Sequence, residues 1–193
     1  MKDLVAELRA SIAATLLLAI LCGGIYPAVV WAVGQRFFPD KANGSLVRSE
    51  GQVVGSALIA QGFSGPSYFH PRPSAAGQGY DAGHSGGTNL GPTSKKLIGD
   101  VKRRVAAYRA ENGLASDTVV PADAVTSSAS GLDPHISVRN ALLQAARIAK
   151  ARGIAEKDLL SKVGAHTEGR TFGFLGEPRV NVLTLNLALD GTL

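Results

Sequence analysis

ASIAATLLLAILCGGIYPAVVWAVGQ, residues 10–35, carries no charged side chain, and its reading decides how the rest of the chain is divided. A helix rises about 1.5 Å per residue, so about 20 residues cross a hydrocarbon core of about 30 Å. The run is long enough to span a bilayer and too long for the apolar stretch of a cleaved secretory signal, which is about 7 to 15 residues. Cys22 would suit a lipoprotein only with a small residue before it, and Leu21 stands there. Residues 10–35 therefore read as an uncleaved transmembrane helix behind a short tail, residues 1–9. Pro27 removes a backbone N–H and is expected to kink the helix. Gly23 and Gly24 would let a second helix approach closely, which marks Gly23, Gly24 and Pro27 as candidate packing residues in the membrane. Lys2 and Arg9 before the span nearly balance Arg36, Lys41 and Arg48 after it. The positive-inside rule leaves the orientation open, and a long following domain translocates largely regardless of charge.

Outward from the anchor, residues 36–51 read as a juxtamembrane linker with Pro39, Asn43, Gly44 and Ser45, and residues 52–193 as one soluble domain. The whole chain has 193 residues, 45% hydrophobic and 18% charged, which suits one ordinary domain plus a membrane segment. The single cysteine lies in the anchor, so no intramolecular disulfide forms and the domain is held by packing. A formal net charge of +5 reads as scattered solvated charge rather than as a nucleic-acid surface.

Within the domain, residues 52–61 read as a buried strand flanked by glycine. Residues 63–92 are crowded with Gly, Pro and Ser, yet Phe63, Tyr68, Phe69 and Tyr80 argue that this loop packs against something. Thr93 or Ser94 can cap a helix whose apolar positions are Leu97, Ile98, Val101, Val105 and Tyr108, ending at Asn112 and Gly113. Lys95, Lys96, Lys102, Arg103, Arg104 and Arg109 would form its basic face. Residues 118–126 are β-branched but contain Pro121, which suits an edge strand or an extended loop. Ser137 can cap a second helix through Leu142, Leu143, Ala146 and Ile148 to Gly153, and a shorter helix is expected over residues 156–163. RVNVLTLNLALD, residues 179–190, alternates leucine with polar side chains as a long strand would. The fold class expected is one N-terminal transmembrane helix followed by a single soluble α/β or α+β domain.

Three strings invite chemistry. Gly83-His84-Ser85-Gly86-Gly87 satisfies the G-x-S-x-G nucleophile elbow, with Asp133 and then His135 or His166 in the right chain order, so a membrane-anchored serine hydrolase acting through Ser85 is the alternative reading. That mechanism needs a strand ahead of the serine, and PRPSAAGQGYDA at 71–82 does not read as one. Gly86-x4-Gly91-Pro92-Thr93 approaches a phosphate loop, but proline occupies the place of the phosphate-reaching lysine. Backbone amides of the string Ser85, Gly86, Gly87, Thr88, Asn89 ahead of a helix could still cradle an anion, although a packing turn is the simpler account. His70, His84, His135 and His166 show no helical ligand spacing, so no metal site is expected.

Longer strings carry a resemblance. GSALIAQGF at 55–63, YFHPRPSA at 68–75, SGGTNLGPTS at 85–94, SGLDPHIS at 130–137, HTEGR at 166–170 and GFLGEPRVNVLTLNLALD at 173–190 together resemble the C subunit of the Kdp potassium-transporting P-type ATPase, the KdpC family. Val138, Ala124 and Thr88 depart from the family's usual proline, leucine and serine. The resemblance implies a single-span subunit of the bacterial inner membrane. Its implied partners are a channel-like potassium-translocating subunit, a P-type ATPase subunit, a small single-helix subunit and membrane lipid, with no nucleic acid. It also implies a catalytic chaperone that raises the ATPase subunit's affinity for ATP through Ser85 to Asn89, with no firmly bound cofactor and ATP met through that partner. The family's domain is thought to lie on the periplasmic or extracytoplasmic side, where cytoplasmic ATP is out of reach, so docking on the outer face of the translocating subunit is the preferred expectation. Arg72, Pro73, Asp133, His135, His166, Glu168, Arg170, Glu177 and Arg179 fall within the motifs and are expected to be structural or interface residues.

Overall fold

The computed structural model describes residues 2–191 and, at the N-terminus, side chains from Leu4 onward. Met1 of the expected tail and the last two residues of the expected 52–193 domain lie outside the described residues. The chain forms two compact units, residues 1–45 and 46–193.

The first unit is dominated by α1 (Lys2–Ile20), a π-helical turn (Leu21–Ile25) and α2 (Tyr26–Phe37), followed by the short α3 (Pro39–Ala42). Residues 4–37 are long and apolar enough to cross a membrane, and their side chains are not buried within the chain. The helix starts well before residue 10 because KDLVAELRA is rich in good helix formers and has no Gly or Pro, so Lys2 to Arg9 of the expected tail are helical. Pro27 has no N–H to give to the carbonyl four residues back. The helix answers just ahead of it with a widened turn in which the Tyr26 amide reaches the Leu21 carbonyl. A Cβ placed on Gly23 or Gly24 would meet nothing within 4 Å, so both leave bare backbone on the helix surface.

The second unit begins earlier than residue 52. Residues 46–49, read as linker, form β1 (Leu46–Ser49), which pairs antiparallel with β2 (Gln52–Ser56). The helices α4 (Lys95–Glu111) and α6 (Val138–Arg152) start where their serines predict. Ser94 and Ser137 each accept a hydrogen bond from the backbone N–H three residues on. Gly153 ends α6 in the left-handed conformation that glycine tolerates. Residues 118–126 are not a strand but an extended segment leading into the short α5 (Ala122–Val125).

The remaining elements are β3 (His135–Ser137), α7 (Glu156–Ala165), β4 (Thr167–Glu168), β5 (Arg179–Asn181) and α8 (Val182–Leu189). In the second sheet β5 lies between β3 and β4, antiparallel to both, with Val180 opposite Ile136 and Thr167. The expected long strand at 179–190 is thus only three residues of strand before a helix. Asn181 makes the switch, its side chain accepting the Thr184 amide as an N-cap. Val182, Leu183, Leu185 and Asn186 are all buried, so α8 is enclosed on most sides, and a nearly all-apolar helix imitates a strand's alternation.

The core joins Phe69, Ile136, Ala141, Ala145, Ile148, Leu159, Val163, Val180, Val182 and Leu185. α6 presents Ala141, Ala145 and Ile148 to this core; of the apolar set read from sequence Ile148 is buried, whereas Leu142 is 46% exposed, Ala146 is exposed and Leu143 is half-buried. Small side chains there leave room for the loop ahead of α4 to enter the core as extended chain.

That loop is held by side-chain amides in place of a neighbouring strand. Asn186, fully buried, accepts the Phe69 N–H at 2.8 Å and donates to the Phe69 carbonyl at 2.9 Å. Gln144 does the same for His70, at 2.7 Å and 3.1 Å. Asn181 donates to the Ala57 carbonyl. Arg147 donates to the carbonyls of Pro66 and Tyr68, and Arg152 to that of Ser67. Buried backbone groups need partners, and here helices α6 and α8 and the last residue of β5 supply them.

Candidate functional site

Several motif residues meet at the edge of the second sheet. Arg72 comes from the clamped loop, Asp133 and His135 from the approach to and start of β3, Glu168 from β4 and Arg179 from β5. Arg72 donates to Asp133 at 3.0 Å and to the Ser127 carbonyl at 3.3 Å. The His135 backbone N–H donates to the other Asp133 oxygen at 3.0 Å, and its Nδ1 lies 3.4 Å from the same atom. His135 Nε2 is 4.0 Å from Glu168, which is paired with Arg179 at 2.9 Å. Burial raises the Asp133 carboxyl, but hydrogen bonds from His135 and Arg72 outweigh it and hold the pKa at about 2. A cleft of about 290 Å³ opens here, lined in part by Arg72, Asp123, Asp133, His135, Glu177 and Arg179.

The chemistry of this cluster is neutralisation. Asp133 is matched by Arg72, Glu168 by Arg179 and Glu177 by Arg170 at 2.7 Å. Asp123 is saturated by the Ser137 amide and hydroxyl and by Asn140. These carboxylates are committed to ion pairs and hydrogen bonds, and the Arg72–Asp133 pair ties the loop to the approach to β3. His166 stands apart, its Nδ1 2.9 Å from the Lys162 carbonyl at the end of α7. Pro73 lines a second cleft of about 390 Å³ together with His70, Tyr80, Arg104, Tyr108 and Glu111. There His70 Nδ1 is 2.9 Å from Glu111. Tyr108, its hydroxyl 2.7 Å from Asn140 Oδ1, is pushed well above the ordinary tyrosine range by burial.

The segment 83–89 is neither preceded by a strand nor directly followed by a helix. Ser85 Oγ donates to the Ser130 carbonyl at 3.0 Å, and the Gly86 amide donates to the same oxygen at 2.9 Å. A Cβ on Gly87 would stand 2.9 Å from the Ala129 carbonyl oxygen. One on Gly131 would stand 2.6 Å from both the Ala76 nitrogen and the Gly86 oxygen, at a φ of +68°. The glycines let two backbones run side by side at residues 86–87 and 129–131. Asn89 also has a positive φ, 51°. Of the elbow's other members, His84 pairs with Asp81 at 2.7 Å, while Asp133 and His135 belong to the charge cluster.

Sequence reasoning gave no loop-holding role to Gln144, Asn186, Arg147 and Arg152, which fix the loop, or to Asn140, which accepts from Gln144 and Tyr108. The signal was available in part: Asn140 and Gln144 lie one helical turn apart and share a hydrogen bond, a polar pair on what is the buried face of α6.

With this geometry in view, comparisons with known proteins add a family and three relatives. The family model KdpC, K+-transporting ATPase, c chain, matches residues 8–191. The potassium-transporting ATPase KdpC subunit of Koribacter versatilis is 53% identical over 186 residues, covering 96% of this chain and 95% of that protein. The subunits of the same name from Mycobacterium bovis and Myxococcus xanthus are 55% and 58% identical, covering 95% and 89% of this chain and 97% and 81% of theirs.

Proposed function

Because the chain belongs to the KdpC family of K+-transporting ATPase c chains, we propose that it is a non-catalytic accessory subunit of a potassium-uptake ATPase, anchored in the bacterial inner membrane by residues 4–37. Its domain docks on the extracytoplasmic face of the potassium-translocating subunit, where it supports assembly or shapes ion entry. The observation that carries this reading is the mutual neutralisation of the motif's charged residues: Arg72 with Asp133, Arg179 with Glu168 and Arg170 with Glu177. A reactive site keeps a base or nucleophile poised near neutral pH, whereas these groups are spent on holding shape.

The same reasoning bears on nucleotide. In the string Ser85 to Asn89 the Gly86 amide is already bonded to Ser130, and Gly87 faces the Ala129 carbonyl, which favours packing over a phosphate cradle. Any raised affinity for ATP would then be exerted through contact with the partner ATPase subunit. The serine hydrolase alternative is disfavoured by the Ser85 proton pointing at a carbonyl; a fluorophosphonate probe would label Ser85 if that alternative held.

Exchange of residues 1–45 for an unrelated single-span helix tests the docking. The domain is expected to co-purify with the potassium-translocating subunit after the exchange. Complete loss of association, with the domain folded, would assign assembly to the anchor and contradict the proposal.

A further inference from the structure

The stretch from Glu168 to Pro178 is exposed at every residue, yet it is not slack. Arg179 bridges to Glu168 at 2.9 Å and Arg170 to Glu177 at 2.7 Å, two rungs across its legs. Thr171 and Leu175 then exchange both backbone hydrogen bonds at 2.9 Å, closing the tip. The tip itself is apolar: Phe172 is 83% exposed, Phe174 69% and Leu175 49%. Phe172 adopts a φ of 54°, a left-handed conformation that a bulky L-residue enters only under constraint. A stiffened, strained arm that holds two phenyl rings in water has the form of a preorganised anchor.

We infer that the tip at 171–175 is a plug that seats Phe172 and Phe174 in an apolar, polar-rimmed socket on another protein subunit of the transporter. That this subunit is the potassium-translocating one rests on the docking proposed above. Charge selects protein over lipid. The three charged residues of the arm, Glu168, Arg170 and Glu177, together with Arg179 at its base make two acids and two bases paired with one another, so the arm offers no excess cation to anionic headgroups. Apolar anchors inside a ring of paired charges match the core-and-rim anatomy of protein interfaces. A tip-to-tip contact between two copies would cover far less than the roughly 800 Å² per partner that stable association needs.

Replacement of Phe172 by the photoreactive p-benzoylphenylalanine in the full complex, in native membranes, tests this, with Val119, 66% exposed on the segment before α5, as the comparison site. The expected result is a cross-link from position 172 to the potassium-translocating subunit, absent from position 119 and lost on adding Phe174→Ser and Leu175→Ser. A cross-link to a different transporter subunit would keep the plug and overturn the docking reading. A lipid adduct, a cross-link to a second copy, persistence after the added substitutions, or no cross-link from a chain that still co-purifies would each overturn the plug.

Discussion

The loop at 57–76 and the arm at 168–178 are mirror cases of how backbone order relates to burial. The loop forms no regular strand, yet Ala60, Phe69 and Ala76 are enclosed in it, and its peptide groups are bonded by Asn181, Gln144 and Asn186. The arm is closed by its own ion pairs and reciprocal backbone bonds, yet buries nothing within the domain. The loop should therefore dominate stability and the arm should be silent in it. If the arm is selected for anything, it is for what it meets outside the chain.

The contrast breaks most severely at Gly131. Alanine there would press a methyl group into the Ala76 and Gly86 backbones and also strain a left-handed residue. Overpacking and the unfavourable φ together cost about 2–5 kcal/mol, to be read from urea denaturation of the detergent-solubilised chain. Next, Asn186→Ala strips both partners from the Phe69 peptide and is expected to cost about 2–4 kcal/mol in the same measurement, since each buried group left unpaired costs about 1–3 kcal/mol.

A smaller effect belongs to the latch at the sheet edge. Asp133 titrates at about 2 in the folded chain against an ordinary value of 3.8. A folded pKa below the unfolded one stabilises above the unfolded value and loses that contribution as pH falls through the folded one. Stability should therefore decline as pH drops from about 4 to about 2, and Asp133→Asn should flatten that part of the profile. The smallest effect is expected from Phe172→Ser with Phe174→Ser, a change within about 0.5 kcal/mol, because the rings touch water. A large destabilisation there would mean that the arm packs on its own domain, and the comparison would fail.

These contrasts also explain what could be read from the chain alone. The anchor, the serine-capped helices α4 and α6 and the Gly153 stop were legible because their signals are local: an uncharged run, a cap, a glycine. β1 at 46–49 was hidden in a stretch rich in turn residues, and its pairing with β2 is not a local property. The end of the chain misled for a physical reason, since α8 is enclosed on most sides and its leucines therefore fit period two as well as a helix. The motif residues were legible as a set, and the charge cluster of Arg72, Asp133, His135, Glu168 and Arg179 gives five of them a common place. The amide clamps were not, because only the folded chain shows that Gln144 faces residue 70 and Asn186 residue 69.

The account turns on which side of the membrane the domain occupies, and one labelling measurement addresses that directly. Ser116 is exposed, and Ser116→Cys in a Cys22→Ser background places a single thiol on the domain. A membrane-impermeant maleimide applied to intact spheroplasts is predicted to label it fully before lysis. Labelling only after lysis would put the domain in the cytoplasm, within reach of ATP, and would contradict the account.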